Sequence, residues 1–163
     1  MNLDDDRPDA SSEPVVVECY FAAPPAKVFA AWTDPKRIVK WFGPAPNSLL
    51  SATIDLRPGG TWRFLTSQDA AKSVGYEGEY LDVQPGVRLV FTWSRVITHA
   101  NGERDAMLHA EIEVNFAAKG GGTNLRLIHT VKRPEDLSPG IGDNWRRTFT
   151  TLAALFAETT DQP

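Results

Sequence analysis

The fold is decided by FAAPPAKVFAAWTDPKRIVKWFGP, residues 21–44. Pro24 and Pro25 mark the start of a first short helix. A helix tolerates proline in its first turn, because the first N–H groups of a helix have no partner within it. Asp34 can cap a second short helix, which Gly43 ends. Apolar residues recur at helical spacing through both segments. The stretch therefore predicts two short amphipathic helices, and the second leads into the aromatic pair Trp41 and Phe42.

A long amphipathic helix is predicted at the other end of the chain, from about Ser138 to Glu158. Its apolar stripe consists of Ile141, Trp145, Phe149, Leu152 and Phe156. Between the two helical regions lie six segments with the period-two alternation of β-strands, and one more, starting near Val15, precedes the first helix. Glycine, proline and asparagine separate these segments, as is typical of turns. We therefore predict an α+β fold in which seven strands form one antiparallel sheet.

The width of such a sheet has a consequence for the interior of the protein. Seven strands spaced about 4.8 Å apart make a sheet roughly 30 Å wide, whereas one helix with its side chains covers only about 10–12 Å. The sheet must therefore curve around the long C-terminal helix, and the two short helices must close one end. The enclosed space is filled either by packed side chains or by a ligand, and the sequence leaves both possibilities open.

Composition and charge restrict the class of protein. The chain of 163 residues is 42% hydrophobic, which suits a single compact domain. Residues 1–13 are polar, acidic and free of aromatic side chains, so we expect a disordered acidic tail followed by one domain over residues 14–160. The first fourteen residues hold five acidic side chains and one basic one, which accounts for the net charge of −4. The rest of the chain is neutral and has no basic stripe, which argues against nucleic-acid binding.

The sequence also predicts where the protein is found. No apolar run approaches the length of a membrane-spanning helix, so we expect no membrane insertion. The first residues lack the basic and apolar regions of a secretory signal. The single cysteine, Cys19, cannot form an internal disulfide, and its place in an alternating strand favours a small buried hydrophobe over a nucleophile. These features together favour a cytoplasmic protein.

Known catalytic and cofactor motifs are absent from the sequence. The three histidines, His99, His109 and His129, lie on different segments and form no pair at metal-ligand spacing, so no metal site is predicted. The glycine runs at 59–60 and 120–122 lie between strands rather than ahead of a helix, which is not the arrangement of a phosphate-binding loop. We therefore expect no cofactor and assign no catalytic residue.

Several stretches, taken in order, carry a resemblance to a known family. They are residues 21–44, GGTWRF at 59–64, YLDVQPGVRLVFTW at 80–93, TNLRLIHT at 123–130 and the helix around Trp145. Their order and spacing resemble proteins like the C-terminal domain of the activator of heat-shock protein 90 ATPase. That family belongs to the START-like (SRPBCC) superfamily of helix-grip folds, which also holds polyketide cyclases and lipid carriers. The resemblance covers nearly all of residues 15–158.

This resemblance implies a helix-grip fold with a hydrophobic cavity between the curved sheet and the C-terminal helix. It also implies a lipid or polyketide-like molecule as the kind of ligand. The eukaryotic activator carries a separate N-terminal domain that is not found in this sequence, so stimulation of the chaperone ATPase is not implied. A glycine–tryptophan pair common at the start of the last helix is altered here, since two residues separate Gly142 from Trp145.

A cavity of this kind would be lined mainly by aromatic side chains on the helix-facing side of the strands. We expect the lining to comprise Trp62, Phe64, Tyr80, Phe91, Trp93, His129, Trp145 and Phe149, with Trp41 and Phe42 nearer the entrance. The same rings packed against one another would instead form a filled core, in which each contributes about 2–3 kcal/mol by burial. Two further residues are placed by alternation, Tyr76 inward and Arg63 on the outer face.

His129 is a titratable side chain that alternation places inside. It is in phase with Leu127 and Val131, so it would lie in an apolar interior. There it could orient a ligand or carry a proton. A core histidine satisfied by one hydrogen bond is the simpler interpretation, and we favour it over catalysis.

Three hypotheses of different classes remain. The first, which we favour, is a protein that binds a small hydrophobic or amphipathic molecule between the sheet and the last helix. The second is a protein-interaction or co-chaperone-like module that docks a partner through the exposed sheet face or the Trp41 region. The third is a cyclase- or hydrolase-type enzyme that uses His129 or a tyrosine as a proton carrier. The sequence specifies neither the ligand nor the oligomeric state.

Overall fold

Strands and helices follow one another in the predicted order. The structure, a computed structural model, describes residues 14–160, with side chains to residue 157, and the tail predicted over residues 1–13 lies outside this described part. The strands are β1 (Val15–Phe21), β2 (Ser51–Ile54), β3 (Thr61–Gln68), β4 (Lys72–Gln84), β5 (Arg88–His99), β6 (Arg104–Lys119) and β7 (Gly122–Val131). The helices are α1 (Pro25–Thr33), α2 (Pro35–Trp41) and α3 (Ile141–Thr160). A short 3-10 turn, Pro134–Asp136, precedes α3.

The strands form one seven-stranded sheet in the order β1-β7-β6-β5-β4-β3-β2. Every neighbouring pair is antiparallel, so β2 to β7 make a continuous meander and β1 adds beside β7. The register shifts through an extra residue in β3 after Leu65, in β4 after Tyr80 and in β6 between Met107 and Ala110. Such bulges bend the strand and increase its twist. The predicted α+β architecture with a seven-stranded antiparallel sheet is confirmed.

The helix boundaries follow from the local sequence. Pro25 and Pro35 occupy the first turns of α1 and α2. Asp34 caps α2 as predicted, since its carboxylate accepts a hydrogen bond from the Lys36 N–H at 3.0 Å. Helix α3 begins at Ile141, three residues later than predicted from the apolar stripe, because residues 139–140 form a turn before it.

Positions of the helices on the sheet determine where space is left inside. Helix α3 runs closest to β1, whereas α2 runs closest to β2 at the opposite edge. The apolar stripe of α3 is buried against the inner face at Trp145, Phe149 and Leu152. The middle strands β4 and β5 lie between the two helices and have the least helical cover. A gap is therefore expected over these strands, near the N-terminal half of α3.

Candidate ligand-binding cavity

A cavity of about 510 Å³ lies over the middle strands, on the inner face of the sheet. It is bounded by the N-terminal half of α3 and the segment before it, the loop that follows α2 and strands β3 to β7. Cavities that bind small molecules are typically about 300–1,000 Å³ in volume. This cavity is therefore large enough for a small organic ligand, and it occupies the gap left between α2 and α3.

The floor of the cavity is aromatic. The rings of Tyr76 and Trp93 are 4.5 Å apart between centroids, and Trp93 lies 5.9 Å from Trp145. Phe42 contacts this group from the end of α2, with its ring centroid 5.6 Å from that of Trp93. All four residues line the cavity. Such a floor can contact the flat or aliphatic body of a ligand over a large area.

His129 and Trp145 form the buried polar pair of the site. The indole Nε1–H of Trp145 donates to Nδ1 of His129 at 3.0 Å. Burial lowers the pKa of His129 from its ordinary value of 6.5 to about 4. The imidazole is therefore neutral at neutral pH, and because Nδ1 accepts a hydrogen bond, the ring hydrogen is on Nε2. His129 thus offers a hydrogen-bond donor to the site, but it is a weak base.

The loop after α2 forms one wall of the cavity and is attached to α3. The hydroxyl of Thr148 donates to the backbone carbonyl of Gly43 at 3.0 Å. Gly43 has φ +115, and a Cβ atom at this position would lie 2.7 Å from Cβ of Ser48. Only glycine allows both this backbone conformation and this close approach. Exposed residues of the loop and of α3, among them Pro44 and Asn144, form the rim.

A strained residue lies on the opposite wall. Between the Trp93–Ala110 and Arg95–Met107 pairs, β6 contains one residue more than β5. Leu108 is within this bulge and has φ 56, a left-handed conformation that costs a non-glycine residue about 1–2 kcal/mol. Leu108 also lines the cavity. The bulge thus shapes the cavity wall at some cost in stability, as is common beside functional sites.

Asp136 is the one acidic residue among the described cavity-lining residues, and its charge is already compensated. It is 3% exposed, and its carboxylate lies 3.2 Å from Nε of Arg133. Burial raises the pKa of Asp136, but the Arg133 guanidinium and the His109 backbone N–H lower it by more, so the net pKa is below its usual value. Asp136 therefore stays ionised and paired at neutral pH.

The structure divides the residues that we expected to line a cavity into two groups. Phe42, Trp93, His129 and Trp145 line the 510 Å³ cavity. Trp62, Phe64, Tyr80 and Phe91 surround a separate void of only about 10 Å³ toward α1 and α2. Phe42 is shared by both regions. The aromatic interior is thus open at one end and packed at the other.

The remaining two predicted residues are enclosed in the core. Trp41 is fully buried, and its indole donates to the Ala31 carbonyl at 3.0 Å. Phe149 is also buried, against Phe21 and Trp145. Neither is among the cavity-lining residues.

Sequence reasoning missed several lining residues, and Arg95 is the most informative of them. The alternation that places Phe91 and Trp93 inward continues to Arg95, so a signal was present two residues further along β5. Arg63 lies on the outer face, as predicted, within a charged groove that also contains Glu77.

Two further properties concern metals and membranes. Within the described part of the chain, no group of three or more histidine, cysteine or carboxylate side chains is arranged to hold a metal ion. None of the described helices combines the length and the apolar character needed to cross a bilayer.

Burial raises the pKa of the Cys19 thiol, which makes this cysteine a poorer nucleophile.

The curved sheet, its C-terminal helix and the cavity between them define a START-like helix-grip protein. The family model described as Activator of Hsp90 ATPase homolog 1-like protein matches residues 22–157, so the chain belongs to that family. No curated protein matches the chain.

Solved structures share the fold at low sequence identity. Protein NE0264 from Nitrosomonas europaea is 22% identical with a TM-score of 0.75, and the match covers 95% of this chain and 100% of that one. Protein Ms6760 from Mycobacterium smegmatis is 21% identical with a TM-score of 0.71, covering 94% and 96% of the two chains. CalU16 from Micromonospora echinospora is 24% identical with a TM-score of 0.59, covering 90% and 78%. These similarities establish the fold.

Proposed function

We propose that this protein binds a small hydrophobic or amphipathic molecule in the cavity between the sheet and α3. The observation that carries this proposal is the 510 Å³ space with an aromatic floor and a few polar groups. Burying the apolar body of a ligand there contributes about 25 cal/mol per Å² removed from water. Lipid-like or polyketide-like molecules have the required combination of an apolar body and a polar group.

The packed end of the interior supports the same proposal. Trp62 and Phe64 are 4.6 Å apart between ring centroids, and Trp32 and Trp41 are 5.0 Å apart. These rings form a rigid core that holds the sheet and the two short helices together. The open end therefore does not need to be filled by side chains for the fold to be stable, and it can be used for a ligand.

The two other hypotheses receive less support. A histidine with a pKa near 4 whose Nδ1 is engaged by Trp145 is a poor proton carrier at neutral pH, which weakens the catalytic hypothesis. On the outer face of the sheet, Arg63 and Arg104 both pair with Glu77. Such a charged surface does not favour the apolar docking patch that the interaction hypothesis requires.

A cavity-filling variant tests the proposal. Ile141 is half-buried and lines the cavity at the start of α3, so Ile141→Trp should occupy part of the space without disturbing the packed end. The neutral dye phenylnaphthylamine, whose fluorescence rises in apolar surroundings, reports binding. We expect saturable binding to the wild type and at least about tenfold weaker binding to Ile141→Trp, since even one methylene group more or less in a hydrophobic pocket changes binding by about 1–3 kcal/mol.

The matched control is Leu81→Trp, which adds the same side chain at an exposed strand position. This variant should bind the dye like the wild type. Equal dye binding by all three proteins would place the dye elsewhere and contradict the proposal, as would the absence of saturable binding to the wild type.

We also propose that binding takes place in the cytoplasm. The single cysteine, half-buried and without a partner for an internal disulfide, supports a reducing compartment. Fractionation of the source cells followed by detection of the protein tests this assignment, and recovery outside the cytoplasmic fraction would contradict it.

A further inference from the structure

We propose that the ligand carries an anionic head group, a carboxylate or sulfonate, and that Arg95 binds it inside the cavity. This inference rests on the proposed function, because it describes which molecule that cavity selects. Its basis is Arg95, a charged residue in the middle of the sheet that lines the cavity.

Arg95 occupies an unusual place for a charged residue. It follows Trp93 on the inner face of β5, is paired in register with Tyr76 of β4 and Met107 of β6, and is half-buried. Its Nη1 lies 3.7 Å from Sδ of Met107, a weak acceptor. Among the described side chains, no carboxylate lies within 4.0 Å of Arg95 to form an ion pair.

Other arginines on the strands differ from Arg95 in this respect. Arg63, Arg88, Arg104 and Arg126 each form an ion pair with a carboxylate of the sheet. The charge of each of these four arginines is therefore compensated by a carboxylate on the sheet. Arg95, on the inner face, has no such partner in the described part of the chain, although a partly desolvated cation gains most from one.

Charge around the cavity is favourable for an anion. Asp136 is the acidic residue of the described lining, and its charge is taken up by Arg133. A second arginine, Arg147, lies at the rim, where its Nη1 is 3.4 Å from Oδ1 of Asn144. Two arginines therefore line the space, and neither forms an ion pair with a described carboxylate.

Neutral donors and the aromatic floor complete the site. His129 and Tyr76 both line the cavity. The Nε2–H group of His129 and the hydroxyl of Tyr76 can donate hydrogen bonds to an oxyanion. The fork of Arg95 suits a planar carboxylate or a sulfonate, to which it can donate two parallel hydrogen bonds. The apolar body of the ligand would then lie over Trp93 and Trp145. The arrangement selects an amphipathic organic anion over a neutral molecule of the same shape.

Two dyes with the same ring system separate the anionic contribution from the apolar one. Anilinonaphthalene sulfonate carries a sulfonate, whereas phenylnaphthylamine is its neutral counterpart. We expect the wild-type protein to bind the sulfonate at least about tenfold more tightly, because hydrogen bonds to a charged group contribute more than neutral ones. Arg95→Gln should remove this preference, so that its affinities for the two dyes lie within about twofold of each other.

The matched control is Arg63→Gln, which makes the same change of charge on a neighbouring strand but on the outer face. It should keep the wild-type preference. Arg95→Met, whose straight apolar chain can pack where the arginine stem packs, is a second variant with the same expected result. Binding of the neutral dye shows for each variant that the cavity is intact.

The outcomes distinguish this inference from the proposed function. Wild-type protein that binds neither dye overturns both. Wild-type protein that binds the two dyes equally, or Arg95 variants that bind the neutral dye and still prefer the sulfonate, overturn the anionic head group alone. A loss of preference in Arg63→Gln as large as that in the Arg95 variants would also overturn it, because the effect would then come from overall charge.

Discussion

At the scale of single residues, burial decides what each polar group in the cavity can do. His129 is 7% exposed and has one hydrogen-bond partner in Trp145. Its environment disfavours the charged form, because a protonated imidazole would lose water without gaining an anion. The residue therefore remains a neutral donor over the physiological range. Its ionisation is linked to folding, and this link can be measured.

The stability of the protein should depend on pH through His129. The pKa of His129 is about 4 in the folded protein and 6.5 when exposed. Above pH 6.5 both states are neutral and the contribution is fully present; as the pH falls toward 4, only the unfolded state takes up the proton and stability is lost. Urea unfolding at pH 7 and pH 4.5 should show an additional loss of about 2–3 kcal/mol in the wild type relative to His129→Gln.

The control for this measurement is His99→Gln, which replaces an exposed histidine beside Asp105. It should retain the wild-type pH dependence. If the wild type and His129→Gln lose the same free energy of unfolding between the two pH values, His129 is not the buried neutral group described above.

Alternation along the strands predicted which face each residue occupies, but not its position along that face. It places Trp62, Phe91 and Trp93 inward, and all three are buried. Of the three, only Trp93 lines the cavity, whereas Trp62 and Phe91 lie at the packed end. The difference arises because α3 covers the inner face near β1 and α2 covers it near β2, which leaves the cavity between them. That division depends on helix placement, which a period of two does not encode. The same alternation places Arg95 on the inner face, but a charged side chain is usually exposed to solvent, so the sequence alone does not assign Arg95 to the cavity.

At the scale of elements, the contact between α3 and the loop after α2 keeps the cavity in shape. Helix α3 is joined to the loop by a hydrogen bond that the Thr148 hydroxyl donates to the Gly43 carbonyl. Because the loop is one wall of the cavity, its attachment affects both stability and binding. The bulge at Leu108 plays the corresponding part on the other wall, and it arises from the pairing of β5 with β6, which local sequence does not reveal.

Removing the Thr148 hydroxyl should loosen this wall. Thr148→Val keeps the shape of the side chain but leaves the Gly43 carbonyl without its donor, so we expect a loss of about 1 kcal/mol in the free energy of unfolding and weaker dye binding. The control is Thr150→Val on the exposed side of α3, where the hydroxyl donates to the Arg146 carbonyl of the same helix. Denaturant unfolding and dye titration check both variants. Equal losses in the two would show that the loop contact has no special role.

At the scale of the whole molecule, the cavity follows from a mismatch between sheet and helices. A sheet of seven strands is wider than α3 alone can cover, and α2 is too short to complete the cover. The mismatch predicts that the sheet curves, whereas the two short helices and the long C-terminal helix follow from apolar spacing along the chain. Whether the enclosed space is filled was not predictable, because it depends on how far the aromatic rings interlock, and the structure contains both a packed end and an open end.

Five tryptophans distributed over these two ends make the central claim directly measurable. Trp93 and Trp145 line the cavity, whereas Trp32 and Trp62 border the small packed void and Trp41 is enclosed in the core. A proton–nitrogen correlation spectrum resolves the indole N–H signal of each, and single Trp→Phe variants assign them. On titration with phenylnaphthylamine, the proposed binding site predicts saturable shifts of the Trp93 and Trp145 signals while the other three stay in place. Shifts confined to Trp32, Trp41 or Trp62, or no shift of any indole signal as the dye binds, would contradict it.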